Sequence, residues 1–210
     1  MNRLYLFDFD GVIADSRSVY EHFVIACLEK MDEPLRITAD DFLEFFDDNF
    51  FESIQKRGIP LDRFLEMGAT LNPVDYSQIA VFHDILPVLE ELSHRNRLAV
   101  ISSSLSDPIE AVLNRTQAYH LFSAVLGADY STSKTEKILH IMEQWKKGPR
   151  ETFYIGDTTG DIREAKRAGV QSVAVTWGWH PEERLRTADP DHIVRTPRDL
   201  LTLNDGAGRP

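Results

Sequence analysis

A short apolar, aromatic-rich run, Leu4 to Phe9, stops at Asp10-Gly11, which predicts a buried strand ended by a turn. Ser16 then stands as a candidate N-cap before a stretch reaching Lys30, which predicts a helix. Residues 38–83 keep a helical pattern interrupted by Gly58, Pro60, Gly68 and Pro73. From Asp84 the period begins to alternate. Helix Asp84–Arg95 leads to strand Arg97–Ile101 and a serine-rich turn. Helix Asp107–Arg115 leads to strand Ala124–Leu126, helix Lys134–Lys147 to strand Thr152–Ile155, and helix Asp161–Ala168 to strand Ser172–Val175. A last unit covers Asp191–Val194 and Pro197–Leu203, and the Gly-rich tail from Asn204 is expected to fray.

Strand, helix and strand at this spacing form parallel crossover units. The predicted architecture is α/β, a doubly wound parallel sheet with a Rossmann-like core. The opening strand belongs with the sheet that resumes after residue 83, so the expected units are a core of residues 1–15 and 84–210 and an all-helical insert of residues 16–83.

Composition narrows the function classes. Of 210 residues, 42% are hydrophobic and 27% charged, which excludes collagen-like, disordered and disulfide-scaffold chains. A net charge of −11 argues against nucleic-acid or anionic-membrane partners, which need clustered cations. It leaves room for a small phosphorylated ligand held by a few local donors. The single cysteine, Cys27, rules out an intrachain disulfide and a cysteine-built zinc site, and fits a reducing compartment. No run approaches the ~18 apolar residues of a membrane span, and the opening run is too short and too acidic for a signal peptide. The expected location is the cytoplasm, as a monomer or homodimer.

In a doubly wound sheet, ligands bind beyond the carboxyl ends of the strands. The residues following those ends are Asp8, Asp10 and Gly11; Ser102, Ser103 and Ser104; Lys134; and Gly156, Asp157, Thr158, Thr159, Gly160 and Asp161. Taken singly, each has a plain structural reading: a turn-forming acid, a polar turn, a solvated lysine. Together they bring four carboxylates to one edge, where mutual repulsion raises their pKa values and a hard cation such as Mg²⁺ suits the oxygen set.

The stretch Asp8-Phe9-Asp10-Gly11-Val12-Ile13-Ala14-Asp15-Ser16 resembles the first motif of the haloacid dehalogenase-like hydrolase superfamily, in its phosphoglycolate phosphatase-like branch. Ser102, Lys134, the run Gly156 to Asp161, Glu164 to Val170, and Thr176-Trp177-Gly178 follow in the order of that family, and the insert falls where it places a helical cap. The resemblance implies a Mg²⁺-dependent phosphomonoesterase acting on a small phosphorylated metabolite. Asp8 would be the nucleophile that forms an aspartyl-phosphate. Asp10 would be the general acid and then base, its backbone carbonyl also touching the metal. Asp157 would be a direct metal ligand and Asp161 would support the site. Ser102, with a backbone amide near Ser103, would bind the phosphoryl group, and Lys134 would neutralise it. A phosphosugar mutase on the same residues is the alternative, and a catalytically retired binding or regulatory protein a third. A dehalogenase would have no use for an acid at Asp10.

The chain departs from the family pattern at two places. Ser103 follows Ser102 where many members carry Asn, and Thr135 follows Lys134 where many carry Pro. Lys137, one turn on, is expected to be a solvated helix residue. In the insert, Phe42, Phe45, Phe46, Phe50 and Phe51 are expected to pack as core. Asp40, Asp41, Glu44, Asp47 and Asp48 are expected to form a solvated face; Lys56, Arg57 and Arg63, the bases that could meet a substrate carboxylate or second phosphate, are expected on the surface, and His22 is expected packed or exposed rather than a ligand. Trp177 and Trp179 are expected to order the loop after the last main strand.

Overall fold

The computed structural model describes residues 2–31, 39–71 and 76–205. The predicted breaker Pro73, the side chain of Asp40 and the tail beyond 205 lie outside the described residues. Strand β1 (Leu4–Phe7) is wholly buried. A two-residue strand β2 (Ala14–Asp15) precedes the insert, whose helices are α1 (Arg17–Lys30), α2 (Ala39–Glu44), α3 (Phe50–Lys56) and α4 (Leu61–Thr70). The chain returns through β3 (Ala80–Val81). It then alternates α5 (Ile85–Ser93), β4 (Arg97–Ile101), α6 (Ser106–Arg115), β5 (Ala124–Leu126), α7 (Lys134–Trp145), β6 (Thr152–Gly156), α8 (Thr159–Ala168), β7 (Gln171–Val175), α9 (Glu182–Arg186) and β8 (His192–Val194). A 3-10 segment, Pro197–Asp205, follows.

The sheet runs β5-β4-β1-β6-β7-β8 with every pairing parallel. The first strand lies in the middle, Leu4 opposite both Arg97 and Thr152. It is therefore covered on both faces, which explains a continuous apolar run rather than an alternating one. Tyr5 and Phe7 pack with α5 and α6 on one face, and Leu4 and Leu6 with α7 and α8 on the other. Winding reverses at β1, so the crevice past the ends of β1, β4 and β6 is the switch point where ligands bind.

The strand ends at Phe7 rather than Phe9. The Asp8 amide still reaches Ile155 O at 2.8 Å, but Phe9 O is turned to accept from Ile13 and Ala14, both at 2.9 Å. Gly11, at φ +77°, supplies the left-handed residue this turn requires. Ser16 stands at the N-cap position of α1 without a side-chain cap: its hydroxyl donates to Asp10 Oδ1 at 2.7 Å instead.

Strands β2 and β3 pair antiparallel, Ala14 with Val81 and Asp15 with Ala80, joining the two connections between sheet and insert at their base. Two residues show no periodicity, so sequence pattern could not reveal this ribbon. Phe42, Phe45, Phe46, Phe50 and Phe51 are buried together, and Trp179, from the loop after β7, completes their cluster. Tyr76 and Ile79 pack instead with the sheet's core. Among the described residues no helix is long and apolar enough to cross a membrane.

Candidate active site

The turn after β1 aims Asp8 and Asp10 in different directions. Asp8 Oδ1 accepts from its neighbour Phe9 N at 2.7 Å, while Oδ2 takes the Lys134 ammonium at 2.6 Å. Asp10 faces hydroxyls: Ser16 and Ser104 each donate at 2.7 Å, and Ser102 at 3.3 Å. Ser104 also meets the Tyr76 hydroxyl at 2.8 Å.

Lys134 is the first residue of α7, whose N-cap Ser133 accepts from Glu136 N. Its ammonium bridges Asp8 and Asp161, 2.6 Å from each, with all three side chains buried. Asp161 occupies the first turn of α8, where it forms a reciprocal capping box with Thr158. One oxygen is thereby tied to Thr158 N and Oγ1, and the other is left for Lys134 and the Tyr154 hydroxyl.

Asp157 follows β6 and is fully buried. A Cβ at Gly11 or Gly178 would fall 2.1 or 2.4 Å from its Oδ2, so two bare glycines wedge the carboxylate in place. Oδ2 accepts from Trp179 N at 2.7 Å, and Oδ1 is buried without a hydrogen-bond partner. Among the described residues, Asp8, Asp157 and Asp161 form the group able to hold a metal ion, with one oxygen from each within 4.8 Å of the others. Three hard oxygens, with an unpartnered Asp157 oxygen in the same cluster, fit a divalent cation such as Mg²⁺. The Asp10 carboxylate stands outside this triangle.

Burial dominates the electrostatics. It pushes Asp8 up to about 8, helped by the charges of Asp161 and Asp10 and opposed by Lys134. It holds Asp157 well above the usual carboxylate range, with Asp161 and Asp8 adding to the effect. Asp10 is also raised by burial, against the pull of its hydroxyl donors. Asp161 differs: burial raises it, but Lys134 and Thr158 together hold it below the ordinary value. Lys134 is stabilised as a cation by Asp161 and Asp8 in spite of burial.

The insert closes the site from above. Tyr20 of α1, Phe46 and Trp179 cover the carboxylates and leave a cavity of about 20 Å³, room for little beyond a water or an ion. A wider groove of about 850 Å³ lies between α5 and Pro197–Asp205, but its mixed lining of Asp84, Glu91, Arg95 and Arg198 gathers no reactive set.

Several expectations are corrected here. Lys137 is not solvated: it is fully buried, donating to Ser102 O at 2.6 Å and Gly127 O at 3.2 Å behind the serine turn. Burial, with the Lys134 charge beside it, pulls its ammonium down to about 8. Its position was legible: Lys134, Lys137, Ile138 and Ile141 share one helical face, and all four are buried. Asp47 and Asp48 are half-buried and paired rather than freely solvated. Asp47 takes a two-pronged contact from Arg184 at 2.8 and 2.9 Å and one from Thr159 at 3.0 Å. Asp48 pairs with Arg167 of α8 and with Lys56. Glu44 is exposed, as expected, and pairs with Arg57. Nothing local in the sequence marks these partners. His180, also unanticipated, accepts from Thr159 N at 3.1 Å and donates to Leu43 O at 3.0 Å, which assigns the neutral tautomer protonated at Nε2.

A doubly wound sheet whose switch point carries a lysine-bridged acidic cluster under a helical lid defines a hydrolase of the phosphoryl-transfer kind. A family model described as haloacid dehalogenase-like hydrolase matches residues 5–175. The chain belongs to that family. It is 33% identical over 124 residues to the phosphoglycolate phosphatase of Synechococcus elongatus, covering 59% of this chain and 58% of that one. It is 24% identical over 207 residues to the pyrophosphatase PpaX of Oceanobacillus iheyensis, 96% of each chain. The solved structure of a haloacid dehalogenase-like hydrolase from Streptococcus pneumoniae superposes with a TM-score of 0.80 at 20% identity, covering 96% of this chain and 98% of that one.

Proposed function

We propose that this phosphatase hydrolyses a small phosphomonoester with the help of Mg²⁺, through an aspartyl-phosphate on Asp8. The observation that carries the reading is the Asp8 carboxylate held at 2.6 Å from a buried ammonium, beside an Asp157 oxygen that no protein group satisfies. Asp8, Asp157 and Asp161 would hold the metal, together with the Asp10 backbone carbonyl. Bound there, Mg²⁺ would supply positive charge for the phosphoryl oxygens and the attacking carboxylate.

The chain's own groups do the remainder. Asp8 attacks phosphorus, and the ester oxygen departs with a proton from Asp10, whose raised pKa keeps it available as an acid. Asp10, now a carboxylate, takes a proton from the water that hydrolyses the acyl-phosphate. Lys134 balances charge on the phosphoryl group and on Asp8. Ser102 and the Ser103 amide are proposed phosphoryl donors, which requires the Ser102 hydroxyl to leave Asp10. The insert, residues 16–83, is proposed as the cap that excludes water from the intermediate.

The substrate is proposed to be a small phosphorylated metabolite of the phosphoglycolate kind. The tight aromatic roof and the pyrophosphatase named among the relatives make pyrophosphate the natural comparison. Phosphate release from phosphoglycolate, sugar phosphates, nucleotides and pyrophosphate, with and without Mg²⁺, tests the reading. Release from a monoester only when Mg²⁺ is present is expected. Silence on the whole panel would overturn it.

A further inference from the structure

Asn49 belongs to the cap but spends its side chain on two domains. Its Oδ1 accepts from Phe51 N at 3.0 Å and Glu52 N at 3.2 Å, which starts α3. Its Nδ2 crosses to the core, donating to Thr132 O at 2.8 Å and to Glu164 Oε2 at 3.1 Å. Glu164, on α8, is 2% exposed. Its other oxygen accepts from Lys134 N at 2.8 Å and Thr135 N at 3.2 Å, the opening amides of α7. Its main-chain carbonyl accepts the Thr135 hydroxyl at 3.1 Å. The Lys134 ammonium then reaches Asp8 and Asp161. An unbroken hydrogen-bonded path therefore runs from the cap to the nucleophile.

A buried carboxylate is costly unless its oxygens are satisfied, and packing alone would be served by an apolar side chain between α7 and α8. The charge has a use here. Helix amides are unpaired at their N-terminus, and an anion there fixes them. One oxygen of Glu164 fixes the backbone of Lys134. The other is satisfied by a donor that arrives only with the cap.

We propose that Glu164 and Asn49 are positioning residues: cap docking, sensed by Asn49, locks Glu164, and Glu164 sets the Lys134 backbone so that its ammonium meets Asp8. With the cap withdrawn, Oε2 of Glu164 loses its partner, the carboxylate turns, and Lys134 loses its register. What Lys134 does once in register rests on the phosphatase reading above.

The test uses three variants of the full chain: Asn49→Asp, Glu164→Gln and the double variant, assayed on p-nitrophenyl phosphate with Mg²⁺. Aspartate caps a helix as well as asparagine does, so Asn49→Asp keeps α3 while setting a carboxylate against Glu164. Each single variant is expected to lose about tenfold or more in kcat, with KM changing less, as a small misplacement at a reacting centre does. Thermal midpoints should fall, most for Asn49→Asp, which buries a carboxylate without a donor, so kcat is read well below every midpoint. Amide exchange at Lys134 and Thr135 should quicken in both. In the double variant the contact between 49 and 164 is rebuilt with its direction reversed: the new amide at 164 donates to the new carboxylate at 49 and still accepts from Lys134 N, while Thr132 O stays without its donor, so recovery is partial. Recovery of kcat to well above either single variant is expected. Single variants with parental kcat and parental exchange, or a double variant no better than the worse single, would overturn the proposal. A parent chain that releases no phosphate from any ester would overturn the phosphatase reading instead, and the exchange rates would then judge the tie by themselves.

Discussion

Asp8 and Asp10 stand two residues apart, yet their carboxylates meet opposite partners, an ammonium on one side and three hydroxyls on the other. That division predicts different failures. Asp8→Asn should abolish turnover, since an amide forms no acyl-phosphate, while substrate binding survives because a charge repelling the phosphate is gone. Asp10→Asn should slow turnover by about 10²–10⁴-fold through lost proton transfer. With p-nitrophenyl phosphate, whose leaving group needs little protonation, the aspartyl-phosphate should accumulate. Rapid quench and mapping of the label check this, and label on any residue other than Asp8 would refute the assignment. Asp157 predicts a metal effect. Chelation should silence the enzyme and Mg²⁺ restore it, and Asp157→Asn should lose most of the Mg²⁺ binding heat in calorimetry while remaining folded. Full turnover in excess EDTA would count against the metal. The carboxylates and Lys134 were legible because each follows a strand end that the apolar pattern marks. At Ser16 the sequence marks the helix start but not the hydroxyl's partner, because a hydroxyl before a helix reads the same whether it caps that helix or serves a buried acid six residues earlier.

At the scale of elements, the docking of residues 43–49 against α8 and the loop after β7 decides how the site is closed. Gly160 N donates to Phe46 O at 2.9 Å, and a Cβ on Gly160 would fall 2.4 Å from Asp48 O, so the start of α8 is bare where the cap lands. His180 sits in this seam between Thr159 and Leu43. Burial pulls it from 6.5 to about 4. The folded protein therefore binds fewer protons than the unfolded chain between those values. Stability from this group is complete above pH 6.5 and is lost as pH falls toward 4, by roughly 3 kcal/mol. Urea midpoints at pH 7 and 4.5 check it: His180→Gln should flatten the slope, and an unchanged slope would refute the assignment. The long elements of this region were legible through their apolar period. The seam was not, because Asp47 with Arg184 and Asn49 with Glu164 are pairs made only by the tertiary fold, and an acidic run reads the same whether it faces water or arginines.

For the whole molecule, two chain crossings connect the sheet to the cap, and the paired strands β2 and β3 hold them together. A hinge is expected on either side of that ribbon, near Asp15-Ser16 and His83-Asp84. Hydrogen exchange with and without a phosphate analogue should differ at both crossings and in residues 43–49. Identical patterns would mean the cap does not move with ligand.

The central place of β1 also bears on how the chain is made. Leu4 pairs with Arg97 and Thr152, so the strand leaves the ribosome long before either neighbour exists. Within the insert α4 packs on α1 and α3, and these helices can gather early, whereas the sheet must wait for β6. Non-local pairing of this kind slows folding and leaves apolar strand edges open to other chains. Nascent chains halted before residue 152 should therefore bind chaperones through Leu4–Phe7, and release should come only when the strand on its far side has been synthesised.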